Sequence, residues 1–376
     1  MSSAFLLSPT LIHVWYSNPD ARAWTAEPSS HAVAVFHQSL NNYAPTPLIE
    51  APALAAELQV GRVFVKDESE RLDLSAFKIL GASWAVARAL TDGDTPASLL
   101  EIASRIDRSN PPTLVAATDG NHGRAVAHMA RLLELDCYIV IPRGVSELAI
   151  ANVRSEGAIV EVIDGNYDEA VSRAREITTS VTNGSHIQDM SWPGYEDIPQ
   201  WIIDGYATMC VEVDEQLRVM GSAPVDLVAV PVGVGSFLHS VTAHYRGNGN
   251  ARPVVLSVEP TVAACVLVSL QNGELTSVDT GVTIMSGMNC GTPSSDSWPV
   301  HRDGVDAAVA VNDDDTRLAL KTFAELGIDA GPCGAATLAG VRCALEHSDA
   351  RAVLGLNKNS VIVLLSTEGS AANSLS

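Results

Sequence analysis

Short apolar runs recur along this chain, and most are followed by a stretch of helical periodicity. The runs Arg62–Lys66, Thr113–Ala117, Cys137–Ile141, Ile159–Ile163, Leu227–Val230, Val254–Val258, Ala307–Val311 and Val361–Leu365 read as strands. Between them, Phe77–Leu90, Asn121–Glu134, Ser146–Glu156, Asp168–Ser180 and Trp201–Met220 place apolar residues at helical spacing. Strands buried on both faces, with a helix after each, can satisfy their backbone groups only as parallel βαβ units. Right-handed crossovers then stack such units into open, twisted, mostly parallel sheets with helices on both faces. The pattern therefore predicts an α/β fold. Residues 1–61 show no such alternation and read as irregular.

In sheets of this kind, ligands bind beyond the carboxyl ends of the strands. Chemistry-bearing residues collect there in four stretches. Ser75-Ala76-Phe77-Lys78-Ile79-Leu80-Gly81 follows the Arg62–Lys66 strand across a charged, turn-like link. Thr118-Asp119-Gly120-Asn121-His122-Gly123, Val232-Gly233-Val234-Gly235-Ser236 and Ser366-Thr367-Glu368-Gly369 each follow a strand directly. With Ser75 as N-cap, Lys78 falls at the third helical position, where the helix end is positive. A cation adds no stability there, whereas an amine that must lose its proton to react is well placed. The glycines at 233 and 235 let backbone N–H groups approach a phosphate at a helix start. Phe237 and Leu238 stand where a dinucleotide-binding turn has its third glycine, so a nicotinamide site is disfavoured.

Together these stretches resemble the fold-type II pyridoxal-phosphate (PLP) enzymes, the tryptophan synthase β-like class. Within that class the resemblance is to the diaminopropionate ammonia-lyases, and it runs from about Pro45 in Pro45-Thr46-Pro47-Leu48 to Gly369. It includes Thr283-Ile284-Met285-Ser286-Gly287-Met288 and Cys290-Gly291-Thr292-Pro293. The resemblance implies pyridoxal 5'-phosphate as cofactor, with Lys78 as its Schiff-base lysine. Gly233, Val234, Gly235 and Ser236 would cradle the phosphate, Ser366 would meet the pyridine nitrogen, and Asn121 the phenolic oxygen. Thr118, Asp119 and Gly120 belong to the loop that holds the substrate carboxylate, and His122 reads as a supporting core histidine.

Asp119 and Asp189 set the substrate expectation. A carboxylate beside the substrate carboxylate repels it unless a second substrate cation or a proton transfer offsets the cost. The resemblance assigns both aspartates to catalysis and substrate binding. The implied reaction is α,β-elimination of ammonia from 2,3-diaminopropionate, giving pyruvate. The alternatives are a serine/threonine dehydratase-like or β-replacing PLP enzyme, and a non-catalytic binding protein of the same fold. The family fold also implies a large domain from residues 1–76 and 193–376, a small domain from 77–192, and a homodimer.

Composition narrows the partners. With 23 Lys+Arg against 44 Asp+Glu, the net charge of −21 leaves no basic footprint for nucleic acid or an anionic membrane. The apolar runs fall short of membrane-spanning length, and Met1–Pro9 lacks a basic flank, so a cytoplasmic location is expected. Cysteines at 137, 210, 265, 290, 333 and 343 form no CxxC and lack paired histidines, so no metal site is expected. The family resemblance places a cysteine pair at Cys265 and Cys290, which raises a disulfide between them as a side possibility.

Overall fold

The computed structural model describes residues 15–27, 30–118, 120–247, 251–347 and 349–372. Its strands, in chain order, are β1 (Trp15–Ser17), β2 (Leu48–Glu50), β3 (Arg62–Asp67), β4 (Thr113–Ala117), β5 (Cys137–Ile141) and β6 (Ile159–Val162). They continue with β7 (Gly184–His186), β8 (Leu227–Pro231), β9 (Val254–Pro260), β10 (Ala307–Val311) and β11 (Val361–Ser366). Seven strands form one sheet in the order β1-β10-β9-β8-β11-β3-β2, and four form a second in the order β6-β5-β4-β7. Every pairing is parallel except β1 with β10 and β2 with β3 at the two edges of the larger sheet. Two mostly parallel sheets, flanked by helices, are the α/β architecture that the strand–helix alternation predicts.

The strand order explains where the site sits. β11 lies between β8 and β3, all three parallel, so Pro231, Ser366 and Asp67 end side by side. In the smaller sheet β4 and β7 run parallel and deliver Ala117 and His186 to one edge. Both faces of the central strands are apolar and buried. Phe64, Val228 and Val363 belong to one core cluster, while Val63, Ala229 and Leu364 belong to the cluster on the opposite face. A third, smaller cluster joins Val115 and Val140 to the helix Tyr167–Ser180.

Two readings of the sequence need correction. Residues 1–61 are not irregular throughout, because the helices His31–Ser39 and Pro52–Leu58 lie there with β1 and β2. Ser75 is not the cap of the lysine helix. That helix runs Lys78–Ala89 with Phe77 as N-cap, which makes Lys78 its first residue. The reason is competition for the preceding backbone: Phe77 N–H donates to Thr367 O at 3.1 Å and Gly369 N–H to Ser75 O at 3.0 Å. Residues 75–77 are thereby laid along the chain leaving β11. The Ser75 hydroxyl instead accepts from Arg124 Nη1 at 3.1 Å.

Candidate active site

Lys78 reaches the cleft because the link between β3 and its helix is pinned at depth. Arg71 is fully buried and donates to Glu68 from both Nε and Nη2, at 2.8 and 2.6 Å. It also bonds both Glu212 oxygens at 2.7 Å, and Lys66 meets Glu212 at 2.6 Å. Two cations thus face two carboxylates, which balances the charge of ions taken out of water. Arg71 and Leu74 bridge each other across Leu72 and Asp73, both at positive φ, so the link turns tightly toward Phe77. The lysine helix then packs on the long helix Asp197–Val219.

Asp189 arrives from the smaller sheet. After β7 the chain folds back through a turn in which Trp192 and Tyr195 stack with ring centroids 4.2 Å apart. The Tyr195 hydroxyl donates to His186 O at 2.7 Å and accepts from Gln188 N–H at 2.8 Å. So held, Asp189 Oδ2 accepts from Lys78 Nζ at 2.8 Å, and Oδ1 accepts from the Tyr167 hydroxyl at 3.2 Å. Burial opposes ionisation of Asp189, but the Lys78 charge, His122 and the bonds from Lys78 and Tyr167 outweigh it. The carboxyl is therefore held well below its usual range and is ionised at neutral pH. The Lys78 ammonium also lies 5.7 Å from the Phe77 ring centroid and 5.8 Å from that of Tyr206.

The cleft these residues line also receives Asn121, Gly233, Val234, Gly235, Ser236 and Glu368. The glycine turn leaves β8 and starts the helix Ser236–Arg246, with Gly235 at φ 101°. Among the described residues, no backbone carbonyl takes up the N–H groups of Gly233, Val234 or Gly235. The Ser236 hydroxyl donates to Asp189 O at 2.9 Å and so ties the turn to the aspartate loop. Asn121 begins the helix Asn121–Leu133, and its Nδ2 donates to Glu368 Oε2 at 2.7 Å. The Thr118 hydroxyl accepts from Gly120 and Gly123 N–H at 2.9 and 3.0 Å, which shapes the loop from within. His122 is buried with Nε2 on Ile187 O at 2.8 Å, in the supporting position expected of it. Asp119 lies outside the described residues. The Cys265 thiol donates to Gly233 O at 3.7 Å.

Two features test the fit of a phosphorylated pyridine cofactor. Ser366, the last residue of β11, is fully buried, yet its Oγ bonds to no described atom. A buried hydroxyl of that kind is costly unless a ligand completes it. A Cβ added at Gly334 would stand 2.5 Å from that Oγ, so the glycine leaves the serine its room. The open N–H groups of the 233–235 turn, at the positive end of a helix, form a cradle for an anion. Lysine, cradle and hydroxyl fit the three polar ends of pyridoxal phosphate. Lys78 would hold it covalently, the glycine turn its phosphate, and Ser366 its ring nitrogen.

Several residues of the cleft were not singled out from the sequence. Glu368 lies within the quoted stretch after β11, but its meeting with Asn121 spans 247 positions and no local pattern marks it. Tyr167 and Cys333 also line the cleft without a distinguishing motif, beside Cys290 of the quoted Cys290-Gly291-Thr292-Pro293 stretch. Among the described residues, no group of three or more His, Cys, Asp or Glu side chains could hold a metal ion. Nor is any helix among them long and apolar enough to cross a membrane.

Comparison with known proteins places the chain in a family. Residues 40–368 match the family model for pyridoxal-phosphate dependent enzymes. The chain is 34% identical over 360 residues to a diaminopropionate ammonia-lyase of Salmonella typhimurium, covering 90% of this chain and 88% of that one. It is 32% identical over 351 residues to the Escherichia coli diaminopropionate ammonia-lyase, covering 89% and 86%. The crystal structure of the E. coli enzyme with an aminoacrylate-PLP azomethine reaction intermediate superposes with a TM-score of 0.81. That match has 30% identity and covers 95% of this chain and 94% of the other. Maize serine racemase, 22% identical with a TM-score of 0.74 over 93% and 94% of the two chains, shares the fold. The chain thus belongs to the pyridoxal-phosphate dependent enzymes of fold type II.

Proposed function

We propose that this protein eliminates ammonia from 2,3-diaminopropionate. The balance is one diaminopropionate and one water giving pyruvate and two ammonia. The observation that carries this reading is the buried, ionised Asp189 at 2.8 Å from the Lys78 amine. A substrate with a neutral β-hydroxyl gains nothing from that carboxylate, whereas a β-ammonium replaces the charge that Lys78 gives up on becoming neutral. The lyases of S. typhimurium and E. coli, similar over most of this chain, support the same substrate.

Bound pyridoxal phosphate supplies the electron sink for charge left at the substrate α-carbon. The chain's own groups do the rest. Lys78 Nζ takes the α-proton of the L-isomer, and Asp189 holds the β-ammonium as it leaves. The loop Thr118–Gly120 holds the substrate carboxylate. The Ser366 hydroxyl would meet the ring nitrogen of the bound cofactor, and a hydroxyl there would leave that nitrogen largely unprotonated, which would favour elimination over transamination. Asp119 serves as base on the opposite face, for the D-isomer.

The same proposal divides the chain into a small domain, 77–192, and a large one from 1–76 and 193–376. The contiguous smaller sheet, β4 to β7, supports that division. It includes a homodimer, by resemblance to the lyase family. It also places the protein in the cytoplasm, which the thiol state of Cys137, Cys210, Cys265 and Cys343 supports. The test is to incubate the purified holoenzyme with each diaminopropionate isomer and follow pyruvate. Steady pyruvate release is expected, and its absence from a PLP-loaded protein overturns the assignment.

A further inference from the structure

The glycine turn is an anion cradle only while its carbonyls face away from the cleft, and each has a partner that holds it there. Gly233 O meets the Cys265 thiol at 3.7 Å, and Val234 O accepts from Ser294 N–H at 2.8 Å. Gly235 O accepts from His239 N–H at 2.8 Å, within the helix that it opens, and from the His301 ring at 3.0 Å. His301 belongs to the helix Trp298–Gly304, which packs along the helix Ser236–Arg246. It is fully buried, and nothing in the elimination chemistry uses it.

The tautomer follows from the partner. A carbonyl only accepts, so His301 Nε2 carries the proton. Nδ1 is then bare, and it is buried with no bond to any described atom. Burial, then the neighbouring His239, pushes the ring down to about 3, so it stays neutral and cannot switch partners by gaining a proton. The ring also occupies the place a side chain at 235 would need. A Cβ there would stand 2.2 Å from His301 Cε1, on a residue already at φ 101°.

We propose that His301 is a positioning residue for the cofactor phosphate, its Nε2–H anchoring the Gly235 carbonyl so that the N–H groups of the turn converge on the cleft. The inference rests on pyridoxal phosphate occupying that cleft. It separates His301 from a residue that merely fills space, because only the phosphate end of the cofactor depends on the turn.

The test compares two ligands that differ only in the phosphate. Dissociation constants for pyridoxal phosphate and for pyridoxal are measured by absorbance titration on cofactor-stripped wild type, H301L and H301Q. Loss of a buried hydrogen bond predicts that H301L binds pyridoxal phosphate about 10-fold or more weakly, with pyridoxal within about twofold of wild type. H301Q, whose amide carries a donor at a similar reach, should recover most of the phosphate-dependent affinity. Should H301L not fold, H301N takes its place, since its amide falls short of the Nε2 position. Equal weakening of both ligands, or none, overturns the positioning role. Failure of wild type to bind pyridoxal phosphate at all counts against the cofactor reading instead.

Discussion

Lys78 and Asp189 stand 111 positions apart in the chain, yet their side chains meet at 2.8 Å. One follows the larger sheet and the other the smaller, so the contact exists only when both sheets are assembled. The pairing accounts for a lysine at a helix start and for an aspartate that stays ionised when buried.

Asp189→Asn keeps the shape and removes the charge. A lost partner for a buried cation costs about 2–5 kcal/mol, so kcat/KM for diaminopropionate should fall about 30-fold to several-thousand-fold. Cofactor absorbance should persist, because the phosphate and ring contacts are untouched. An unchanged kcat/KM would remove Asp189 from substrate recognition.

Gly334→Ala should act on the cofactor through Ser366. The new methyl would lie 2.5 Å from Ser366 Oγ, and overpacking of this kind costs about 1–3 kcal/mol. Weakened pyridoxal phosphate binding by absorbance titration is expected, with pyridoxal weakened to a similar degree because the ring end is what moves. Wild-type binding by G334A would detach Ser366 from the pyridine nitrogen.

Much of this was legible in the sequence, for a physical reason. Strands buried on both faces are unbroken apolar runs, so Thr113–Ala117, Cys137–Ile141 and Ala307–Val311 were readable to the residue. The site stretches were readable because glycine, lysine and aspartate stand out where a strand ends. What escaped depends on distance in the chain or on short elements. β1 and β2 have three residues each, too few for a period. The helix His31–Ser39 carries Val33 and Val35 in an alternation that obscures its helical spacing. Lys78 heads its helix only because Thr367, far along the chain, takes up the Phe77 N–H. His301 and Glu368 act through partners 66 and 247 positions away.

Acid should destabilise the cofactor-free protein in part through Glu156. Burial raises its pKa, but the His128 bond and charge, with Arg131 and Arg124, outweigh that and bring it from 4.5 down to about 2. A depressed carboxyl contributes stability that is present above its unfolded pKa and lost as pH falls through the folded one. Wild type should therefore lose urea resistance between about pH 4.5 and 2 more steeply than Glu156→Gln. Parallel curves for the two proteins would deny the linkage.

Asp119→Asn separates the two isomers. An α-hydrogen presented on the face away from Lys78 needs another base, and removing a general base costs about 10²–10⁴-fold. Turnover of D-diaminopropionate should fall by that order while much of the L-isomer rate survives. Equal losses for both isomers would make Asp119 a binding residue for the β-ammonium.

The central claim is that this pyridoxal-phosphate site is built for a second ammonium on the substrate. It is tested most directly by kcat/KM of the holoenzyme for diaminopropionate, serine and threonine under one set of conditions, with the 2-keto acid product followed in each case. A carboxylate matched to a cation at about 2–5 kcal/mol predicts that diaminopropionate leads by about 30-fold or more. Equal values, or threonine as the better substrate, would contradict the claim and make the protein a dehydratase.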